Sequence, residues 1–181
     1  MQTLPLRIQK KIAMIYYVTG GARSGKSSYA MKVALSLSPN PVYIATARCW
    51  DESFQDRIKR HEEGRDERWT TIEEELELSK LDLDNKVAVV DCITLWLTNF
   101  FTDFKQDVNK CLEVFKSEID KMRTKNTTFI IVSNEIGMGV HAETEAGRKF
   151  TDLQGWANQY VAKVADKAIL MVSGLPVTLK E

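Results

Sequence analysis

The chain has 181 residues, and its 25 Lys and Arg are balanced by 25 Asp and Glu, so no global field draws it to nucleic acid or to a membrane surface. Its length suits one domain with a sizeable core, and no apolar run approaches the length needed to span a bilayer. The three cysteines, Cys49, Cys92 and Cys111, are odd in number and form no C-x-x-C pair, which excludes a zinc ribbon and a disulfide framework and points to a cytoplasmic protein.

Residues 1–13 carry Arg7, Lys10 and Lys11 but no long apolar stretch, and they do not read as a signal peptide. They are a candidate disordered extension, and Met14, directly before the first strand, is an alternative start. From 14 to 181 the chain reads as a single P-loop nucleotide-binding catalytic domain. Its first strand is Ile15–Val18. The stretch Gly20-Gly21-Ala22-Arg23-Ser24-Gly25-Lys26-Ser27 follows and matches the P-loop pattern in full. Behind it, Ala30, Val33, Ala34 and Leu37 recur at helical spacing. Strand, glycine loop and helix give the motif its mechanism. The glycines let backbone N–H groups point into one concavity, and the helix N-terminus adds partial positive charge there. Lys26 is placed to reach the β and γ phosphates and Ser27 to ligate Mg²⁺.

Further strands are expected at Val42–Ala45, Val87–Asp91, Thr128–Ser133 and Ala168–Val172. The clearest helix is Val108–Met122, where Val108, Cys111, Leu112, Phe115, Ile119 and Met122 mark one apolar stripe. Another runs from about Ala146 to Val164, with Phe150, Leu153, Ala157, Tyr160 and Val164 on its buried side. The strands Val87–Val90 and Phe129–Val132 are apolar without alternation, as central parallel strands covered on both faces should be. The β-α alternation implies a RecA-like, doubly wound, mainly parallel sheet with helices on both faces and right-handed crossovers.

In such a sheet the site lies at the carboxyl ends of the strands. The second strand ends in Ala45-Thr46-Ala47. The third ends in Asp91 after four apolar residues, the Walker B arrangement, in which a carboxylate holds Mg²⁺ opposite Ser27. Asp91 could instead cap a helix starting at Ile93, and the two roles are compatible. The fourth strand ends in Ser133-Asn134-Glu135, followed by Ile136-Gly137-Met138-Gly139, which reads either as a site loop or as an ordinary turn. Between the second and third strands lies the charged stretch Arg57–Trp69 with His61, one of two histidines. It reads as a solvated helix end with a turn at Gly64, or as a basic substrate lid.

Taken together, these segments resemble one family. GGARSGKS, YIATA, and the set Arg57, Ile58, His61, Gly64, Arg65, Trp69, Thr71 and Glu73 are similar to the bifunctional adenosylcobinamide kinase / adenosylcobinamide-phosphate guanylyltransferases of cobalamin biosynthesis. Asp91-Cys92-Ile93-Thr94, the Ser133–Val140 strand end, Gly147-Arg148 with Phe150, Asp152, Gly155, Asn158 and Gln159, and the terminal Gly174-Leu175-Pro176 also fit. The resemblance runs in order from Met14 to Lys180.

The resemblance implies two reactions: phosphorylation of the adenosylcobinamide hydroxyl by ATP or GTP, then transfer of GMP from GTP to adenosylcobinamide phosphate. It implies a histidine-linked GMP, carried over by motif to His61, with Lys26 and Mg²⁺ stabilising the departing pyrophosphate. A neutral imidazole is a competent nucleophile near pH 7. The same carry-over assigns nucleotide contacts to Ala45, Thr46, Ala47, Glu62, Glu63, Gly64, Arg65, Glu73 and Asp91, besides the loop from Gly20 to Ser27. Arg57 and Arg65 are phosphate clamps on this reading. Family members often carry Glu where this chain has Asp91, and some carry a second histidine where this chain has Arg60; His141 is read as incidental. A homo-oligomer, a homotrimer by the same resemblance, is implied. Two other readings differ in chemistry: a monofunctional P-loop kinase of another small metabolite, which would leave His61 idle, and a RecA-like nucleotide-dependent switch that ignores cobinamide.

Overall fold

The computed structural model describes residues 13–48 and 65–181. Seven strands form one sheet in the order β3-β2-β4-β5-β1-β6-β7. They are β1 (Met14–Gly20), β2 (Val42–Ala45), β3 (Thr70–Glu73), β4 (Val87–Asp91), β5 (Thr128–Val132), β6 (Lys167–Val172) and β7 (Leu175–Lys180). All neighbouring pairs are parallel except β6 and β7, which form an antiparallel hairpin. The helices among the described residues are α1 (Lys26–Leu37), α2 (Ile93–Asp103), α3 (Val108–Met122), α4 (Glu145–Val164) and a short 3₁₀ turn at Leu78–Lys80.

Alternation along the central strands explains why they look apolar throughout. Ile15 and Tyr17, Ala88 and Val90, and Phe129 and Ile131 face a core shared with Trp96, Phe100, Phe115, Ile119, Leu153 and Val161 of α2, α3 and α4. Val18, Val87, Val89, Ile130 and Val132 face the opposite core, shared with Ala30 and Ala34 of α1. Each strand residue thus has a covered face to bury, which is the reason a parallel sheet carries no polar side. Trp96 is fully buried at the centre of the larger layer, edge-on to Phe115 at 5.1 Å; its indole N–H donates to Leu76 O.

The expected strands are present within a residue or two, and β5 stops at Val132, one residue before Ser133. Two strands lie beyond those expected. Both are sheet edges, short or largely exposed, so neither carries a core pattern. In the hairpin, Ser173 (φ 51) and Gly174 (φ 83) make a two-residue turn with positive φ at both positions, the geometry that matches strand twist. Pro176 is tolerated in β7 because that strand lies at the edge. On α4 the buried side is rotated from the expected one. Gln154 and Asn158 are buried with Leu153, Ala157 and Val161, while Tyr160 and Val164 lie at the margin. Ala13 belongs to the fold: it is buried, and its N–H donates to Arg123 O.

Candidate active site

β1 brings the chain to Gly20, which has a φ of +150. A Cβ there would lie 2.5 Å from the Met171 carbonyl oxygen and 2.8 Å from Ser24 Oγ, so only glycine lets the loop leave the strand against β6. Arg23 and Gly25 both take the left-handed conformation, which helps turn backbone N–H groups toward one concavity. Gly25 caps α1, and that helix has neither a side-chain cap nor an acid in its first turn. Its leading N–H groups and partial positive charge therefore remain available to an anion. Gly21, Ala22 and Arg23 are exposed along the rim, and Ser27 is half-buried.

Lys26 is 7% exposed. Its ammonium folds back onto Gly21 O and lies 3.4 Å from Ser24 Oγ. Burial holds its pKa below the ordinary lysine value, opposed by the negative charge of Asp91 and Glu135. A cation desolvated in this way is stabilised by an arriving anion more strongly than a surface lysine would be.

The sheet register brings several predicted residues into one row. Glu73 pairs with Ala45, Ala45 with Asp91, Asp91 with Val132, and Val132 with Val18, two residues before the loop. Asp91 therefore ends its strand beside β5, which separates it from the P-loop strand. It is not the cap of the following helix; Cys92 holds that position, and the Asp91–Cys92 peptide is cis. The Tyr43 hydroxyl donates to Asp91 Oδ2 at 2.7 Å. Burial and the Asp91 charge push the Tyr43 pKa far above its ordinary value, so its phenol stays a donor. The Arg65 guanidinium stacks over the Tyr43 ring at 4.0 Å, and Trp69 meets that ring edge-on. Arg65, part of the charged stretch, thus lies one side chain from Asp91.

Thr46 is fully buried. Its hydroxyl donates to Cys92 O and accepts from Cys92 N–H, and its carbonyl accepts from Asn99 Nδ2. Its side chain ties the ends of β2 and β4 to α2, while Ala45 and Ala47 are half-buried at the same edge.

At the end of β5 the polar triplet forms a closed network. Ser133 donates to Asn158 Oδ1 at 2.6 Å, and Gln154 Nε2 donates to both. Asn134 donates to Thr94 Oγ1. Glu135 Oε1 accepts from Thr19 Oγ1 at 2.7 Å, Asn158 Nδ2 at 3.0 Å and, more weakly, Tyr17 Oη at 3.4 Å. The Glu135 N–H donates to Gly20 O, so the backbone that carries this carboxylate is fixed to the first residue of the P-loop. A hollow of about 270 Å³ opens here, lined by Glu135, Gly21, Ser24, Met138, Met171 and Val172 among others.

Of the predicted site residues, those of the loop, Ala45, Thr46, Ala47, Arg65, Glu73 and Asp91 lie at or beside the carboxyl edge of the sheet. His61, Glu62, Glu63 and Gly64 lie outside the described residues, as do Arg57 and Arg60. His141 is exposed. Glu135, Tyr43, Thr19 and Asn158 stand beside these residues through the hydrogen bonds above and were not among the predicted ones. Glu135 had a signal, a polar triplet at a strand end. Tyr43 and Asn158 stood only as members of the motifs that carry the resemblance, without a role, because a buried aromatic in a strand and an amide in a helix are ordinary core occupants.

The arrangement could hold a polyphosphate at the loop and a carboxylate-bound cation at Asp91, with the hollow at Glu135 open beside the loop. Residues 16–179 match the model of the family described as "Cobinamide kinase / cobinamide phosphate guanyltransferase". The chain is 34% identical over 182 residues to the bifunctional adenosylcobalamin biosynthesis protein CobU of Escherichia coli K12, covering 92% of this chain and 100% of that one. It is 36% identical to the bifunctional protein CobP of Pseudomonas aeruginosa, over 90% of this chain and 95% of the relative. Among solved structures it is similar to a prototypical ATPase from the type III secretion system of pathogenic bacteria, with a TM-score of 0.51 and 11% identity, over 92% of this chain and 57% of that one. That likeness bears on the fold alone, which is the P-loop NTPase fold. With a family match that spans both the P-loop and the β6–β7 hairpin, the chain belongs to the cobinamide kinase / cobinamide phosphate guanyltransferase family.

Proposed function

We propose that this chain performs both reactions of its family on adenosylcobinamide. It phosphorylates the substrate hydroxyl with ATP or GTP, then transfers GMP from GTP to the resulting phosphate through a GMP linked to His61. The observation that carries the reading is the placement of Arg65. Arg65, part of the charged stretch, is stacked on the tyrosine that donates to Asp91, at the carboxyl edge of the sheet. His61 stands only four residues before Arg65 in the sequence, which supports a role for it at this edge of the sheet.

In this mechanism the loop N–H groups and Lys26 hold the triphosphate, and Lys26 balances charge on the departing oxygens. His61 attacks the α-phosphorus, pyrophosphate leaves, and the cobinamide phosphate then displaces the imidazole. The two in-line displacements predict net retention at phosphorus. Ser27 and Asp91 would hold Mg²⁺, which when bound neutralises charge on the phosphate oxygens. A hydroxyl and one carboxylate fit that ion, which keeps several waters and shares phosphate oxygens; among the described residues no group of three His, Cys, Asp or Glu forms a closed metal cage. The remaining carried-over residues, Glu62, Glu63, Gly64 and Glu73, are nucleotide contacts on this reading. A homotrimer is proposed as well, supported by the exposed apolar residues Leu175, Val177 and Leu179 on the edge strand.

The test is direct. Incubated with Mg²⁺ and GTP, the wild-type protein should gain the mass of one GMP in an acid-labile linkage, and His61→Ala should gain none. A wild-type protein that gains no mass would sink the guanylyl-transfer half. Cobinamide phosphorylation by His61→Ala should persist, because that step does not use the imidazole.

A further inference from the structure

We propose that Glu135 is the catalytic base of the kinase step alone, receiving the proton of the substrate hydroxyl as that oxygen attacks the γ-phosphorus. The inference rests on the two-reaction reading above and adds a residue to it.

The geometry separates the two oxygens of this carboxylate. Oε1 takes hydrogen bonds from Thr19, Asn158 and Tyr17. Oε2 has no hydrogen-bond partner among the described residues, and Glu135 lines the hollow beside Gly21 and Ser24. One oxygen therefore fixes the group and the other is left for a ligand. The fixing is deliberate in its cost. Asn158 and Gln154 are polar residues buried at 6% and 1% exposure, and Asn158 spends its amide on Glu135 and on the Asn134 carbonyl. A helix that needed only to pack would carry aliphatic residues there. The other walls are mostly aliphatic or thioether, Met138, Leu170, Met171 and Val172, a surrounding that suits the alkyl arm of an alcohol better than a second phosphate.

The chemistry says why one reaction needs this group and the other does not. In phosphorylation the O–H bond breaks as the new oxygen–phosphorus bond forms. The proton passes to Glu135 Oε2 and the O–H electron pair stays on the attacking oxygen; the bond from the γ-phosphorus to the bridging oxygen breaks, and its electron pair leaves on the β-phosphate oxygen of the nucleoside diphosphate. In guanylyl transfer the acceptor is already a phosphate anion and carries no proton that must be removed. Nor does the neutral imidazole need a base at Glu135 to attack.

Glu135→Gln tests this with little change of shape. The amide oxygen can still accept from Thr19 and Asn158, and only the ligand-facing oxygen becomes a donor. Three measurements on the purified full chain decide the matter: phosphorylation of adenosylcobinamide, formation of the GMP adduct with GTP, and GMP transfer to separately prepared adenosylcobinamide phosphate. We expect kcat of phosphorylation to fall at least about 100-fold, the usual worth of a positioned base. The KM for nucleotide, the adduct yield and the transfer rate should stay within about twofold. Loss of all three activities in a variant that melts like the wild type would overturn the proposal and make Glu135 a metal-holding or loop-bracing group. Unimpaired phosphorylation would overturn it equally. Should Glu135→Gln melt early, Glu135→Asp supplies the same comparison, with phosphorylation falling selectively because the shorter arm withdraws the acceptor. Absence of the adduct in the wild type would instead count against the two-reaction reading, which keeps the two failures distinct.

Discussion

Tyr43 shows how one side chain can join two halves of a site. Its ring supports Arg65, and its hydroxyl donates to Asp91. Tyr43→Phe should leave the stacking intact and remove one hydrogen bond to a charged acceptor, worth roughly 1.5–3 kcal/mol. The expected outcome is a rise of about tenfold or more in the Mg²⁺ concentration needed for half-maximal activity, read by titrating the metal at saturating nucleotide. An unchanged Mg²⁺ requirement would mean that Asp91 is not the metal-holding carboxylate. Thr46 makes a contrasting case at the same scale. It stands at the predicted strand end, yet its hydroxyl is committed to both polar atoms of the Cys92 backbone. A strand-end position says that a residue is near the site; it does not say whether its side chain faces the ligand or braces the fold.

Among the elements, the β6–β7 hairpin does more than close the sheet. Its turn touches the P-loop: the Gly174 N–H donates to Ser24 O, and the Met171 carbonyl leaves no room for a Cβ at Gly20. Its outer strand is exposed along its whole length and presents Leu175, Val177 and Leu179. An edge strand of that kind, without charges on its apolar positions, is a surface that invites a partner strand or face. The pair Val177→Lys and Leu179→Lys should therefore convert the proposed trimer to monomer in sedimentation experiments. Because both positions are surface positions in the monomer, the unfolding free energy of the single chain should change by no more than about 0.5 kcal/mol. A wild-type chain that sediments as a monomer at working concentration would remove the basis of the oligomer reading. The hairpin was legible only in part. Strand β6 has an apolar pattern, whereas β7 has no buried face to create one.

For the molecule as a whole, the site is a place where stability is given up for binding. A buried ammonium, a helix N-terminus without a cap and a half-satisfied carboxylate meet at one edge of the sheet. Nucleotide should therefore stabilise the folded chain strongly. At about 100 times its dissociation constant, ligand linkage is worth roughly 2.7 kcal/mol, or about 5–10 °C in Tm for a chain of this size. Lys26→Met should abolish that shift while leaving the ligand-free Tm unchanged or higher, since the desolvated charge is gone; differential scanning with and without Mg²⁺·GTP measures both. A Lys26→Met protein that still shifts with GTP would mean that the loop is not the triphosphate site. The amino-acid sequence by itself determined the P-loop, the order of the central strands and helices, and the family, because these rest on local spacing and on apolar periodicity that any one segment displays. It could not decide that Glu135 reaches back to Thr19, that Tyr43 links Arg65 to Asp91, or that Gln154 and Asn158 turn inward on α4. Those contacts join residues from about 22 to 116 positions apart, and only the register of the assembled sheet and the packing of α4 against it bring their side chains within hydrogen-bonding or stacking distance.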